Sequence, residues 1–452
     1  CIRDSARTLL EGKAAKVVTS NGETLALTDP RVTLLLPSMG RYLSDAFAAV
    51  LRSLGFNPFP HAPADEAILK LGRANTSCKE CLPLILTTGT LLDHVNNQRH
   101  PGDVTVYFMA TGSGPCRFGQ YYIFMEDLIK KFEIPDVALL SLTSENSYLG
   151  MGSAFEQRGW WAIIVSDVIE DVRSMLLANA VDREQAMQIF HAEWRLILDA
   201  LETGSYTSLE KQVAQSAQRL ARIALKMPSA EVPTISLTGE IFVRRDGLSR
   251  QHLTERLAEK GFASICTPVA EWVHYSNYLV DRGLIAYKMA ALEKLQFFRR
   301  KKFMGRYEKR LKAIFSKAGL IQAAPIHVET IIANAKPYIS SNLTGEAVLT
   351  VGGALTDVAS HVCGVIAIGP FGCMPNRLSE AILNETMKRE DKLATDPQNT
   401  VLGATLQDME DLPFLAIESD GSAFPQLISA KLESFCLRAE RLHAKMRAAR
   451  QM

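Results

Sequence analysis

Short, unbroken apolar runs alternate with helix-periodic stretches along this chain, and that alternation leaves few folds open. Arg31-Val-Thr-Leu-Leu-Leu-Pro37 is too short for a core helix and has no polar face, so it predicts a strand buried on both sides. After it, Ala46, Phe47, Val50, Leu51 and Leu54 recur at helical spacing, with Gly55 where a helix C-cap belongs. Further buried strands are expected at Val104 to Ala110 and at Val137 to Leu142. Strands that alternate with helices point to a parallel sheet with crossover helices.

From about Trp160 to Lys226 the strand signal fades and a helical connector is expected, packed on the first lobe. A second alternation then begins. Pro233 to Glu240 reads as strand, Leu253 to Lys260 as helix and Ala263 to Thr267 as strand. Gly364 to Phe371 and Leu412 to Ile417 are late strands, and an amphipathic helix over Phe424 to Met446 follows. The expected fold is α/β, with two Rossmann-like lobes of parallel sheet, a helical connector and a long C-terminal helix. Its boundaries are residues 1–159, 160–230 and 231–452. At 452 residues the chain exceeds one ordinary core, which agrees with two lobes.

The formal net charge of +1 gives no global field that favours nucleic acid or a membrane surface. The longest weakly polar run, Val362 to Met374, has 13 residues and is too short to span a bilayer. No secretory signal is read, and eight cysteines in a chain of this length are too dilute for a disulfide scaffold. A reducing, cytoplasmic compartment is therefore expected, with metal or redox chemistry for the cysteines. A leading Cys1 would suit either a lipid-bearing cysteine or, the preferred reading, a cut from a longer polypeptide. Residues 299–312 hold eight basic side chains against the single acid Glu308. A solvated helix face is the plain reading, and a docking surface for a partner or an anionic cofactor the functional one.

Three cysteines occupy similar stations. Cys81 precedes Leu82-Pro83, and proline suits the first turn of a helix. Cys116 follows a predicted strand and the turn Gly112-Ser-Gly114, and Cys373 follows another strand and Gly372, just before Pro375. Each stands at a strand end or a helix start, where backbone N–H groups and the helix dipole favour a thiolate. Three such thiolates would hold a [4Fe–4S] cluster with one iron left open. Cys266 and Cys436 read as small buried apolar residues, and Cys363 as one that precedes its strand. Cys78 and Cys81 form a C-x-x-C pair, so Cys78 is a candidate fourth ligand, or the partner of Cys81 in a metal-free dithiol oxidoreductase. Glu80 and Arg117 flank the ligand positions and are candidate catalytic or charge-neutralising groups. The nearest histidine, His361, precedes its strand.

Glu80-Cys-Leu-Pro83, Gly114-Pro-Cys-Arg-Phe-Gly-Gln-Tyr121 and Gly369-Pro-Phe-Gly-Cys-Met-Pro375 resemble the cysteine motifs of the activase-associated branch of the 2-hydroxyacyl-CoA dehydratase and benzoyl-CoA reductase superfamily. That group includes the double-cubane cluster proteins. Pro413-Phe-Leu-Ala-Ile-Glu-Ser-Asp420 is similar to the closing strand of that fold, and a short first and long second cysteine interval agree. The resemblance covers roughly Val32 to Arg447. It implies a [4Fe–4S] cluster, or alternatively a double-cubane [8Fe–9S] cluster, held between two lobes. It also implies an ATP-hydrolysing activase partner with an acetate-and-sugar-kinase fold, on a separate chain or fused upstream in the same polypeptide. A small-molecule or acyl-CoA substrate and a dimer or paired homologous module complete the expectation. The rival readings are a non-catalytic electron-transfer module and the dithiol oxidoreductase.

Overall fold

The computed structural model describes residues 6–11, 14–77, 79–112, 116–141, 153–285, 291–322 and 326–450. It opens on an antiparallel sheet of β1 (Arg7–Glu11), β2 (Ala14–Val18) and β3 (Thr24–Ala26). The apolar pattern does not announce these strands, because β3 is short and turns a single residue, Leu25, inward.

The first lobe is a parallel sheet of β4 (Val32–Leu36), β5 (Pro58–Pro60), β6 (Val104–Phe108) and β7 (Val137–Leu140), in the order β5-β4-β6-β7. Every residue of β4 and of β7 is buried, which is why both read as continuous apolar runs. The strand expected at 137–142 ends at Leu140, and Thr143 and its neighbours lie outside the described residues. Its helices are α1 (Arg41–Arg52), α2 (Glu66–Ala74), α3 (Leu82–Asp93) and α4 (Tyr121–Lys131).

The connector is α5 (Ser153–Asn179), α6 (Arg183–Glu202) and α7 (Tyr206–Leu220). The chain is already helical at Ser153, ahead of the expected 160, and α5 packs on α1 of the first lobe and also on β9 (Ala263–Cys266) of the second. It is a shared spine, not an appendage of lobe 1.

The second lobe contains β8 (Thr234–Gly239), β9, β10 (Gly364–Pro370) and β11 (Phe414–Ser419), all parallel, in the order β11-β10-β8-β9. Counted from each lobe's own first strand, both sheets run 2-1-3-4. The helices are α8 (Leu253–Glu259), α9 (Val269–Asp281), α10 (Ala291–Lys317), α11 (Val328–Ala335), α12 (Glu346–Asp357), α13 (Met374–Thr386), the short α14 (Arg389–Thr395) and α15 (Thr400–Thr405), and α16 (Gln426–Arg450). The two lobes repeat a further detail. A Cβ on Gly89 of α3 would lie 2.2 Å from the Ile68 carbonyl of α2, and one on Gly352 of α12 would lie 2.0 Å from the Ile331 carbonyl of α11. In both lobes, then, the helix that leads into the third strand is pressed backbone to backbone on the helix before it. Among the described residues no helix is long and apolar enough to cross a membrane.

The lobes share one core. Leu69, Leu82, Ile85 and Leu86 of α2 and α3 belong to the same buried cluster as Leu237, Leu253 and Ile417 of the second lobe. The basic helix α10, by contrast, buries Met304, Leu311 and Phe315 against the connector and lobe 1.

Buried charge fixes α5 against lobe 2. Asp167, Glu170 and Arg173 recur at three-residue spacing and share one helix face. Asp167 pairs with Arg245 and also accepts the N–H groups of Val269 and Ala270, both at 3.0 Å, so it caps α9 from another element. Glu170 takes Arg250 at 2.8 Å, and Arg173 pairs with Glu255. Asp167→Ala would leave Arg245, whose side chain is 5 % exposed, without its counter-charge. The expected loss is about 3–5 kcal/mol by urea unfolding, because an unpaired buried charge keeps its full desolvation cost. The double substitution Asp167→Leu, Arg245→Met should recover only part of it, because the Val269 and Ala270 amides still lack their acceptor.

Candidate functional site

The carboxyl ends of β6, β8 and β10 converge, and all three singled-out cysteines stand around the crevice between them as helix N-caps. Cys81 has φ −71° and ψ 153° and precedes α3, whose first turn contains Pro83. Cys116 has φ −82° and ψ 138°, caps a 3-10 turn over Arg117–Gln120 that runs into α4, and its sulfur accepts the Phe118 N–H at 3.4 Å. Cys373 has φ −71° and ψ 115° and precedes α13, with Pro375 in the first turn. An extended N-cap residue precedes each of the three, and after Cys81 and Cys373 proline suits the first turn because its missing N–H is one that the helix would leave unpaired. Cys116 and Cys373 also occupy equivalent places, each after the third strand of its lobe.

The three thiols lie within electrostatic reach of common partners. Burial pushes Cys81 up, opposed in part by the Tyr121 hydroxyl that meets its sulfur and by the Leu84 backbone. Cys116 keeps an exposed face, yet the protein crowded around it pushes its thiol up to about 12, with Glu346, Glu240 and Cys81 adding to the effect. Burial raises Cys373 still further, and Glu240, Glu346 and Cys116 add to it. Glu240 thus acts on all three sulfurs.

The flanking candidates have positioning tasks. Glu80 accepts from the Ser77 N–H at 2.9 Å, the Ser77 hydroxyl at 2.8 Å and the Lys79 N–H at 3.1 Å. Burial works to raise its pKa, but these hydrogen bonds outweigh it and hold the carboxyl below its usual value. It has no proton to give at neutral pH. Arg117 reaches the Lys79 carbonyl at 2.8 Å and so ties the Cys116 turn to the Cys81 turn. Cys78 and Cys1 lie outside the described residues. Cys266, Cys363 and Cys436 are buried in the core, as small apolar residues are expected to be.

The cysteine motifs do not reveal two acids that face the same crevice. Glu240 directly follows β8, at the point where strand order reverses in lobe 2, a place where α/β sheets gather ligands. Its position after a buried strand was the available signal. Glu346 opens α12. Burial raises Glu240, partly offset by the Val243 and Phe242 amides. Glu346 is pushed up to about 8 by burial and then by the Glu240 charge, against the pull of Arg244.

Among the described residues no group of three or more His, Cys, Asp or Glu is gathered closely enough to hold a single metal ion. An iron–sulfur cluster makes a different demand, for separate thiolates on separate irons, and three sulfurs on three helix N-termini suit it. No family model matches the chain, and no curated protein or solved structure matches it.

In the metal-free protein Cys116 should be the first of the three to be alkylated, since it alone is exposed. Its rate should keep rising roughly tenfold per pH unit to beyond about pH 10, because the thiolate is the nucleophile. Peptide mass mapping across pH reads this, and a plateau near neutrality would show a thiolate already formed. Tyr121→Phe should slow the labelling of Cys81 alone.

Proposed function

We propose that Cys81, Cys116 and Cys373 hold a [4Fe–4S] cluster, and that the chain is the iron–sulfur component of an ATP-dependent, low-potential reductase or dehydratase system. The observation that carries this reading is the convergence of three N-cap thiols from both lobes on one crevice, with Glu240 acting on each. The resemblance of the cysteine motifs supplies the reaction class. Bound there, the cluster would supply a low-potential electron and an open iron for a small-molecule or acyl-CoA substrate. The helix N-termini would offset its negative charge, and the crowded protein around the thiols would limit water. Phe371 and Met374 beside Cys373 are exposed large apolar side chains.

Two rival readings are less well supported. A double-cubane cluster needs more thiolates, and among the described residues the remaining cysteines, Cys266, Cys363 and Cys436, are buried in the core. A dithiol oxidoreductase would use Cys78 with Cys81, and Cys78 lies outside the described residues, while that reading leaves Cys116 and Cys373 at their helix starts without a task. The deciding measurement is iron and acid-labile sulfide in anaerobically purified protein. Cys81→Ser, Cys116→Ser and Cys373→Ser should each lose most of the iron, while Cys266→Ser and Cys436→Ser keep it. Full iron retention in the triple variant would refute the reading.

The electron donor in this reading is an ATP-hydrolysing activase with an acetate-and-sugar-kinase fold, separate or on the same polypeptide, in a cytoplasmic setting and with a paired or homologous module. Helix α10 is its candidate dock. Lys301 pairs with Asp281, Arg310 with Glu210 and Lys312 with Glu308, whereas Arg299, Lys302, Arg306 and Lys309 are exposed. Exposed charges of one sign steer association and are screened by salt. Reversing Arg299, Lys302, Arg306 and Lys309 to glutamate should slow ATP-dependent reduction at low salt and leave the iron content unchanged. Unaltered kinetics would make this face a solvated surface only.

A further inference from the structure

Asn376 buries an amide that nothing in the chain answers. It lies in the first turn of α13, three residues after Cys373, and is 4 % exposed. Neither its Nδ2 nor its Oδ1 has a hydrogen-bond partner, and among the described residues no other side chain leaves two buried polar atoms in that state. Buried carboxamides are nearly always paired, because an unpaired one keeps its whole desolvation cost. A leucine of similar branched shape would avoid that cost. The amide calls for a partner that the folded chain does not supply.

The place of the amide is set by β10. A Cβ on Gly369 would lie 2.5 Å from Asn376 Cγ and 2.8 Å from Nδ2, so the bare backbone at Gly369 is what leaves room for it. Side chains of a helix lean toward its N-terminus, which in α13 is the end capped by Cys373. Burial raises the Cys373 thiol, and the Asn376 backbone N–H works against that rise. Asn376 thus borders the Cys373 sulfur from the helix side.

The lobe repeat shows what kind of partner is missing. Helices α4 and α13 each follow the third strand of their lobe, and each opens with a buried side chain that can donate a hydrogen bond, Tyr121 in the one and Asn376 in the other. The Tyr121 hydroxyl meets the sulfur of Cys81, the N-cap of the helix that leads into the same strand. In lobe 2 the N-cap at that station is Gly345, which has no side chain. The chain provides a sulfur to Tyr121 and none there to its counterpart.

We propose that Asn376 is a further cofactor-contacting residue of the cysteine site, its side-chain amide donating a hydrogen bond to a sulfur of the cluster held by Cys373. This rests on the iron–sulfur reading above and extends it to a neutral group outside the thiol set. A donor to cluster sulfur stabilises the more negative, reduced form, so this hydrogen bond raises the reduction potential.

The test uses protein reconstituted with iron and sulfide and grown on asparagine labelled with ¹⁵N in the side-chain amide alone. Pulsed electron paramagnetic resonance of the reduced protein should show a ¹⁵N coupling, and Asn376→Leu and Asn376→Ala should each abolish it. Both variants keep the backbone N–H, so the loss isolates the side chain. Their midpoint potential should be lower than that of wild type at equal iron content. If one variant fails to fold by circular dichroism the other decides, and the coupling in wild type needs neither. Full iron with no ¹⁵N coupling, or an unmoved potential in both variants, overturns the role of Asn376 and leaves the iron–sulfur reading intact. If both variants lose urea stability as metal-free proteins, together with their iron, the amide serves the fold, as a buried water partner would have it, and the proposal is overturned. Wild type that takes up no iron refutes the iron–sulfur reading itself and this proposal with it.

Discussion

Asp167 holds the molecule in register. It is buried on α5, and it accepts from Arg245 and from two amides at the start of α9 while its helix also packs on α1. Desolvating these groups costs several kcal/mol per charge, a cost offset only when the whole set is in place. A slipped α5 would lose the pairs to Arg245, Arg250 and Glu255 together, so the interaction selects one arrangement more than it deepens the energy well. The segment it pins is the one that follows β8, and lobe 1 touches that segment directly, since a Cβ on Gly40 would lie 3.3 Å from the Arg245 carbonyl. The position of Glu240 and Arg244 in the crevice follows from a contact on the opposite side of the same loop.

The crevice is electrically one-sided. Its thiols are raised by burial and by neighbouring carboxyls, so without an occupant they are neutral. Bound iron would invert that logic, because a coordinating thiol gives up its proton to the metal. Loading would therefore release protons and weaken as pH falls. The three helix N-termini are the fixed positive contribution that makes such an exchange affordable.

Much of this was readable in the residues. The strands were, because burial on both faces writes them as continuous apolar runs, β10 most plainly with all its residues buried. The cysteine stations were, because proline and glycine mark helix starts and turns whatever surrounds them. What escaped was set by distant partners. The double allegiance of α5 depends on lobe 2 side chains that no local pattern names. Glu80 looked like an acid because it adjoins Cys81, yet its oxygens are occupied by the turn that precedes it. Glu240 and Glu346 are 106 positions apart and meet only because a helix start is laid against the end of a strand. The basic run misled in part, since Lys301 and Arg310 answer acids on other helices and Lys312 answers Glu308 on its own.

The core that runs without a break from α2 and α3 into lobe 2 has a thermodynamic consequence. Small metal-dependent domains gather their ligands only when the ion arrives, and the binding energy must then cover the ordering of the chain. Here α3, which Cys81 caps, is already packed into that core. Folding has already lost that conformational entropy, so a cofactor bound at Cys81 would owe less of its affinity to the work of assembling the site.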